Sequence, residues 1–362
     1  MLKRIAVGAA APVLAIVIAL VITIGILVVS GNSVSGFLST IFSAPQPRNV
    51  VNIINNASVL YLSALAAAIG FRMNLFNIGV EGQYRVAVFA AAAFAGQGWL
   101  PGPLNVLVAV VLAIVFGAAW AAIAGVLKVT RGVSEVISTI MLNAIAVSLT
   151  AYLLRRWGRV VGNSLQTDQV PKDSWVPGIP LIPGAPNEVL GMALLAVVVG
   201  VGYAVVLNRS RFGFELRATG ASATAAVASG IDVRRMVVVS MIVSGGVAAL
   251  IGMPLLFGDT HSYSTTFQAG LGFAGIAVAL LGRNHPVGIA FGALLFAYLT
   301  EQSSLLEIQA NVSNDIVSIT QGVLVLSVVV AYEIVRRYRR AAEQRSVAEQ
   351  LAPAGTTAEA HA

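Results

Sequence analysis

Residues 70–85 read GFRMNLFNIGVEGQYR, with two arginines, one glutamate, two asparagines and three glycines lying between two strongly apolar runs. The way this stretch is read decides the fold. On either side the chain goes long distances without a charged side chain: Ile5 to Pro47, Val86 to Leu127, Val189 to Asn208, Met236 to Gly258 and Ile316 to Tyr332. Each interval is long enough for one helix of about 20 residues across a hydrocarbon core, and the second can hold two. These runs are continuous, whereas a membrane β-barrel would need shorter alternating segments. Of the 362 residues 57% are hydrophobic and 10% charged, against about 25% charged in an ordinary soluble domain. The sequence is therefore that of an all-α integral membrane protein.

Dividing the apolar runs at their polar and Pro/Gly breaks gives ten expected spans, with cores near 10–29, 53–70, 84–98, 104–126, 134–154, 189–207, 236–257, 268–282, 286–303 and 316–335. With the N-terminus inside, the cytoplasmic segments collect most of the lysine and arginine, from Lys3, Arg4, Lys128 and Arg131 to the cluster Arg336, Arg337, Arg339 and Arg340. The outer segments hold Arg48, Arg155, Arg156, Arg159 and Lys172. This asymmetry places both termini in the cytoplasm by the positive-inside rule. The net charge of +7 is thus read as helix-end arginine facing anionic lipid rather than as a nucleic-acid surface. The first apolar run is longer than a signal-peptide core and no A-x-A site closes it, so it reads as a retained helix. The expected organisation is one transmembrane domain over 1–340 and a disordered tail over 341–362.

Two segments outside the membrane are long. The outer one, 155–188, contains VPGIPLIPGAP, whose prolines and glycines favour an ordered surface loop. The inner one, 208–235, is alanine-rich and bounded by arginines, with short helices expected to be interrupted at Gly220 and Gly230. Its length implies a partner.

Catalytic and cofactor chemistry is not signalled. There is no cysteine, no H-E-x-x-H, and no close pair of aspartates for a metal-bound diphosphate. The histidines His261, His285 and His361 are scattered. None of the lysines Lys3, Lys128 and Lys172 follows a glycine, so a phosphate-cradling G-x-x-x-x-G-K-[ST] loop is absent. If transport is driven by ATP, the ATPase is another chain. No cofactor or metal is expected.

Polar groups within the spans are costly and usually face a partner or a cavity. The opening stretch supplies Asn74, Asn77, Glu81 and Gln83, interleaved with Leu75, Phe76, Ile78 and Val80. That mixture fits a helix break buried in protein, with Gly79 and Gly82 permitting unusual backbone, and it serves either as the wall of a substrate path or as a structural hinge. SEVISTIMLN supplies Ser134, Glu135, Ser138 and Asn143. Ser134 and Ser138 can instead bond to their own backbone, and Glu135 can simply suit the helix dipole. Asp259, His261, Arg283 and His285 sit at helix ends, where they need no ligand.

LRATGASATAAVASGIDVRRM (216–236) resembles the cytoplasmic coupling segment of ABC importer permeases. GFRMNLFNIGVEGQ, GVSEVISTIMLNAIA and GFAGIAVALLGRNHPVGI resemble signature segments of the nucleoside-type branch of the ribose and branched-chain amino-acid permeases. The likeness runs from about residue 50 to 335. It implies a multi-pass permease subunit in a bacterial cytoplasmic membrane, working with two ATP-binding subunits, a second homologous permease and an extracytoplasmic solute-binding lipoprotein. The implied substrate is a nucleoside, with a pentose or another small hydroxylated solute as the alternative. A passive channel or secondary transporter is the rival class. By the resemblance, Arg217, Ala218, Gly220, Ala225, Gly230 and Ile231 couple the chain to the ATPase.

Overall fold

The computed structural model describes residues 2–310 and 312–351. Almost all of its regular structure is helical. In chain order the helices are α1 (Leu2–Val29), α2 (Val34–Ile41), α3 (Pro47–Phe71), α4 (Val80–Ala95), α5 (Gly102–Arg131), α6 (Glu135–Trp157), α7 (Leu194–Arg209), α8 (Arg211–Ala221), α9 (Ala223–Ala228), α10 (Val233–Ala248), α11 (Met253–Leu255), α12 (Leu271–Leu281), α13 (Pro286–Ala310) and α14 (Asn314–Leu351). A short antiparallel hairpin, β1 (Arg159–Val161) with β2 (Ser164–Gln166), pairs Val160 with Leu165.

The chain divides into two compact units, Met1–Leu38 with Leu306–Ala362, and Ser39–Leu305. In the first, α1 packs against α14 and Thr23 donates to Thr320 at 3.5 Å. Helix α14 continues to Leu351, past the expected domain end at 340 and into the segment read as a tail; residues 352–362 lie outside the described residues.

In the second unit α3 is the central element, packed against α7, α10 and α12, while α4 is held by α5, α6, α10 and α12. Helices α5 and α10 meet along small residues. A Cβ on Gly117 would lie 2.6 Å from the Gly245 carbonyl oxygen, and one on Gly245 would lie 2.4 Å from that of Gly117. Small residues at this spacing let two membrane helices approach to backbone contact, where dispersion rather than hydrophobicity holds them. On α5 the buried stripe Asn105, Ala109, Ala113, Gly117, Ala121 repeats every fourth residue, while Leu104, Leu107, Val111 and Val115 are exposed. That exposed apolar face is what a lipid-facing helix presents.

Among the described residues six helical segments are long and apolar enough to cross a membrane: Pro47–Phe71, Gly102–Arg131, Glu135–Trp157, Gly191–Arg209, Val233–Thr260 and Pro286–Ile308. Val17–Val29, Leu271–Leu281 and Asp315–Val328 are shorter apolar helices. Six of the ten expected spans coincide with the six long segments; those expected at 10–29 and 316–335 correspond to the shorter apolar stretches Val17–Val29 and Asp315–Val328, and the remaining two are short helices. The span expected at 84–98 is the 16-residue α4, and that expected at 268–282 is the 11-residue α12. At 1.5 Å per residue they reach about 24 and about 16 Å, short of a core of about 30 Å. Both are interrupted helices, and their N-termini meet inside the bundle.

The segment after α6 is anchored by backbone hydrogen bonds to a distant part of the chain. Segment 165–176 lies against 257–265 through backbone bonds such as Thr167 to Tyr263 at 2.9 Å and Val170 to His261 at 2.8 Å. Trp175 stacks on His261 with centroids 3.7 Å apart. Burial lowers the His261 pKa below its ordinary value, against a smaller opposing pull from Asp259.

Candidate functional site

Helix α3 ends where GFRMNL turns Leu75 back onto Gly70. The Leu75 amide turns back to the Gly70 carbonyl at 3.0 Å, and a Cβ on Gly70 would stand 2.9 Å from the Leu75 oxygen. Asn74 takes φ = 55°, a left-handed conformation that asparagine tolerates better than most side chains. The chain then runs without regular structure to Gly79, where α4 begins.

The freed backbone is satisfied by side chains, as an environment without water requires. Asn77 is fully buried and forms a reciprocal amide pair with Gln83: Nδ2 donates to Gln83 Oε1 at 3.1 Å, and Gln83 Nε2 donates to Asn77 Oδ1 at 2.9 Å. Its second amide hydrogen goes to Ser244 Oγ at 2.8 Å, and its oxygen also accepts the Gly79 amide at 3.0 Å. Ser244 in turn donates to the Ala66 carbonyl at 2.6 Å. Across the break, Asn143 on α6 accepts the Gly82 amide at 2.8 Å and donates to the Ile78 carbonyl at 2.9 Å. Gly79 and Gly82 leave no room for larger residues, since a Cβ would stand 2.8 Å from Gln83 Nε2 and from Asn143 Oδ1 respectively.

Glu81 caps a different helix from its own. Its Oε1 accepts the Gly270 amide and its Oε2 the Gly272 amide, each at 2.9 Å, at the first turn of α12. The same Oε1 takes Arg85 Nε at 2.8 Å and lies 3.2 Å from the Tyr84 hydroxyl, which is 2.5 Å from the Gln268 carbonyl. Unpaired N–H groups and the dipole at a helix start favour a carboxylate there. Gly272 is required by closeness, because a Cβ would fall 2.4 Å from the Glu81 nitrogen. The junction lies deep: α12 carries Gly270 about 16 Å from its far end, and Ser244 stands about 16 Å from the start of α10.

The α6 candidates separate. Ser138 donates to the Ser134 carbonyl at 2.9 Å, and Ser134 itself is exposed. Buried Glu135 pairs with Lys128 from the end of α5. Asn143 bonds the backbone of the break at Ile78 and Gly82, and Glu135 lies against the Phe76 backbone.

The segment after α7 adopts two short helices. Ser210, Ser222 and Asp232 accept the amides of Gly213, Ala225 and Arg235 at 3.0, 3.3 and 3.0 Å and so cap α8, α9 and α10. The interruption falls at Ser222 rather than at Gly220. Gly220 instead packs on the break: its added Cβ would be 2.1 Å from the Arg72 carbonyl oxygen, and its own carbonyl accepts Asn74 Nδ2 at 2.7 Å. Gly230 ends α9 at φ = 80° with open space around it, and the Ile231 amide bonds back to Ala226 at 3.0 Å. Arg217 donates to the Leu207 carbonyl, tying α8 to α7. Ala218 is half-buried, whereas Ala225 and Gly230 are exposed.

Three functional contacts were not legible as residues. Arg72 reads as a plain positive-inside residue, yet its Nε and Nη2 donate to the Asn284 carbonyl at 3.2 and 2.7 Å, as does the Tyr203 hydroxyl at 2.9 Å. The Gly270–Gly272 amides carry no side-chain signature and Ser244 is one serine in the apolar run of α10, although the glycine pair in AGLGFAG hints at close approach. Among the described residues no group of three or more His, Cys, Asp and Glu side chains is placed to hold a metal.

Comparison with known proteins gives a consistent picture. The family described as branched-chain amino acid transport system / permease component matches residues 49–329. A guanosine ABC transporter permease protein of Bacillus subtilis is 34% identical over 339 residues, covering 89% of this chain and 93% of the relative. A nucleoside ABC transporter permease protein of Lactococcus lactis is 32% identical, covering 73% of each chain. A glucose ABC transporter permease protein of Haloferax volcanii is 30% identical, covering 80% of this chain and 78% of the relative.

Proposed function

The chain belongs to the branched-chain amino acid transport system permease-component family, and from that premise we propose that it carries nucleosides across the membrane as one subunit of an ATP-driven importer. The observation that supports this reading most is the likeness to the guanosine permease along nearly its whole length. The chain is a multi-pass membrane protein, a transport component whose ATP hydrolysis resides in separate ATP-binding subunits and whose substrate is delivered by a solute-binding protein. Two ATP-binding subunits, a second homologous permease, a lipoprotein as the binding protein and a location in the cytoplasmic membrane complete the proposal. Both termini lie in the cytoplasm, which puts α8 and α9 on the ATPase side and the hairpin on the outside.

In this arrangement Arg217, Ala218, Gly220, Ala225, Gly230 and Ile231 form the coupling surface. Gly220 seats it on Arg72 and Asn74, so a push on α8 reaches the helix break. Asn77, Gln83 and Asn143 hold the wall of the path in shape, Glu81 joins the α4 and α12 starts, and Asn74, Ser134, Glu135 and Ser138 line its inner side.

Reconstitution with the ATP-binding subunits and binding protein in lipid vesicles tests the reading. Vanadate-sensitive guanosine uptake is the expected result; uptake that persists without an ATPase overturns it. The glucose permease relative favours a second reading, a sugar or other small hydroxylated solute. Glucose uptake with no nucleoside uptake would establish that one instead.

A further inference from the structure

We propose that Arg85 is the specificity-determining residue of the path, its forked amino groups donating to paired acceptors on a neutral planar solute. This rests on the transport reading above and narrows it to 6-oxopurine nucleosides.

Arg85 stands one turn past Glu81 in α4, within the depth of the bundle, and its side chain is only 15% exposed. An ionisable group at that depth faces the bundle interior or a water-filled path and marks function unless its donors are all met by protein. They are not. A guanidinium carries five N–H donors. The Nε donor goes to Glu81 Oε1 at 2.8 Å, and among the described residues the terminal amino groups meet no acceptor.

Glu81 is itself immobilised by the Gly270 and Gly272 amides, so Nε is anchored and the outer edge of the fork is held in one direction. Holding the donor edge before a ligand arrives reduces the ordering cost of binding. The surroundings are aromatic. The Tyr84 hydroxyl and Arg85 Nε share Glu81 Oε1, and Tyr263 packs on Phe267 and Phe89 with ring centroids 5.3 and 5.6 Å away.

The chemistry of the ligand follows from the donor set. Glu81 and Arg85 together are neutral, so the pair has no net attraction for an anion. A planar fork of donors matches two adjacent in-plane acceptors. The carbonyl and ring nitrogen on one edge of a 6-oxopurine are such a pair, the same edge that arginine reads in duplex DNA. A 6-aminopurine presents a donor in place of the carbonyl, and arginine has no acceptor to meet it.

The test compares guanosine and adenosine uptake, through the complete importer in vesicles, for the wild type, Arg85→Lys and Arg85→Met. The binding protein is common to all three, so a change in the uptake ratio reports the permease. Arg85→Lys keeps the charge beside Glu81 but lacks the fork, and membrane abundance with ATPase stimulation by loaded binding protein verifies assembly. The expected result is a loss of about five-fold or more in the guanosine-to-adenosine preference for both variants, with Arg85→Lys assembled normally. A preference unchanged in an assembled Arg85→Lys importer overturns the role of Arg85 and leaves nucleoside transport standing. A wild type that transports neither nucleoside overturns the transport reading and this one with it.

Discussion

The carboxylate of Glu81 receives the backbone amide of Gly272 at 2.9 Å, joining the first turn of α4 to the first turn of a helix 191 residues away in sequence. Two interrupted helices thus share one cap in the middle of the bundle. Any motion that separates α4 from α12 must break these charge-assisted bonds, so the junction is a natural place for opening and closing to be controlled.

Glu81→Ala removes that cap and leaves Arg85 buried beside no counter-charge. The expected cost is about 3–5 kcal/mol, on the scale of breaking a buried pair by removing one partner. Glu81→Gln, which can still accept one amide, should cost less. Thermal denaturation of the purified complex in detergent orders the three proteins. Uptake should fall in both variants while the ATP-binding subunits remain attached; normal transport in both would leave the junction purely structural.

Asn77→Ala leaves the buried Gln83 amide and the Gly79 amide without their partner, while Ser244 keeps its bond to the Ala66 carbonyl. A loss of about 1–3 kcal/mol is expected from the unsatisfied groups. Asn143→Ala should behave similarly, and because both side chains support the same break, the double variant should destabilise by less than the sum. A double-mutant cycle on melting temperature checks the coupling.

Gly220→Val and Gly230→Val should differ in kind. At Gly220 a side chain meets the Arg72 carbonyl, so α8 must lift from the break. ATP hydrolysis is expected to persist while uptake falls. At Gly230 there is open space and the difficulty is the positive φ, which costs about 1 kcal/mol and is relieved in Gly230→Asn. Equal coupling ratios of uptake to hydrolysis in wild type and Gly220→Val would remove the coupling assignment.

His261 makes the segment it packs against, around Val170 and Trp175, sensitive to acid. Its folded pKa lies below the ordinary histidine value because burial disfavours the imidazolium, so the unfolded chain binds the proton more readily. Stability from this group is fully present above the unfolded pKa of about 6.5 and is lost as pH falls from there through the folded pKa. His261→Phe keeps a flat ring against Trp175 and cannot titrate. Its melting temperature should fall less than that of the wild type between pH 7.5 and pH 5, each compared in the same buffer series.

Much of the local design is readable from the residues. The serines and aspartate that cap α8, α9 and α10 stand immediately before the helices they start, and serine and aspartate are favoured at that position. Polarity between Gly70 and Arg85 announces a break, since no other use of Asn77 and Gln83 between apolar neighbours is inexpensive in a membrane. The same reading gave α4 nearly its observed length but overran α12, which starts at Leu271 rather than at 268. Hydropathy adds up apolar residues along the chain, and 261–270 contributes aromatic and glycine residues whether it completes a helix or leads into one from outside the bundle.

By itself, then, the sequence determined that this chain lives in a membrane, where its long helices run, and which stretch departs from helix. Only the tertiary structure decided that the departure is shared by two helices and what satisfies it. The long-range partners of Glu81, Arg72 and Asn74 are backbone amides and carbonyls of Gly270, Gly272, Asn284 and Gly220. Every residue carries such groups, so no residue type marks them. Their freedom to bond arises only where a helix ends, and their nearness only where distant segments pack.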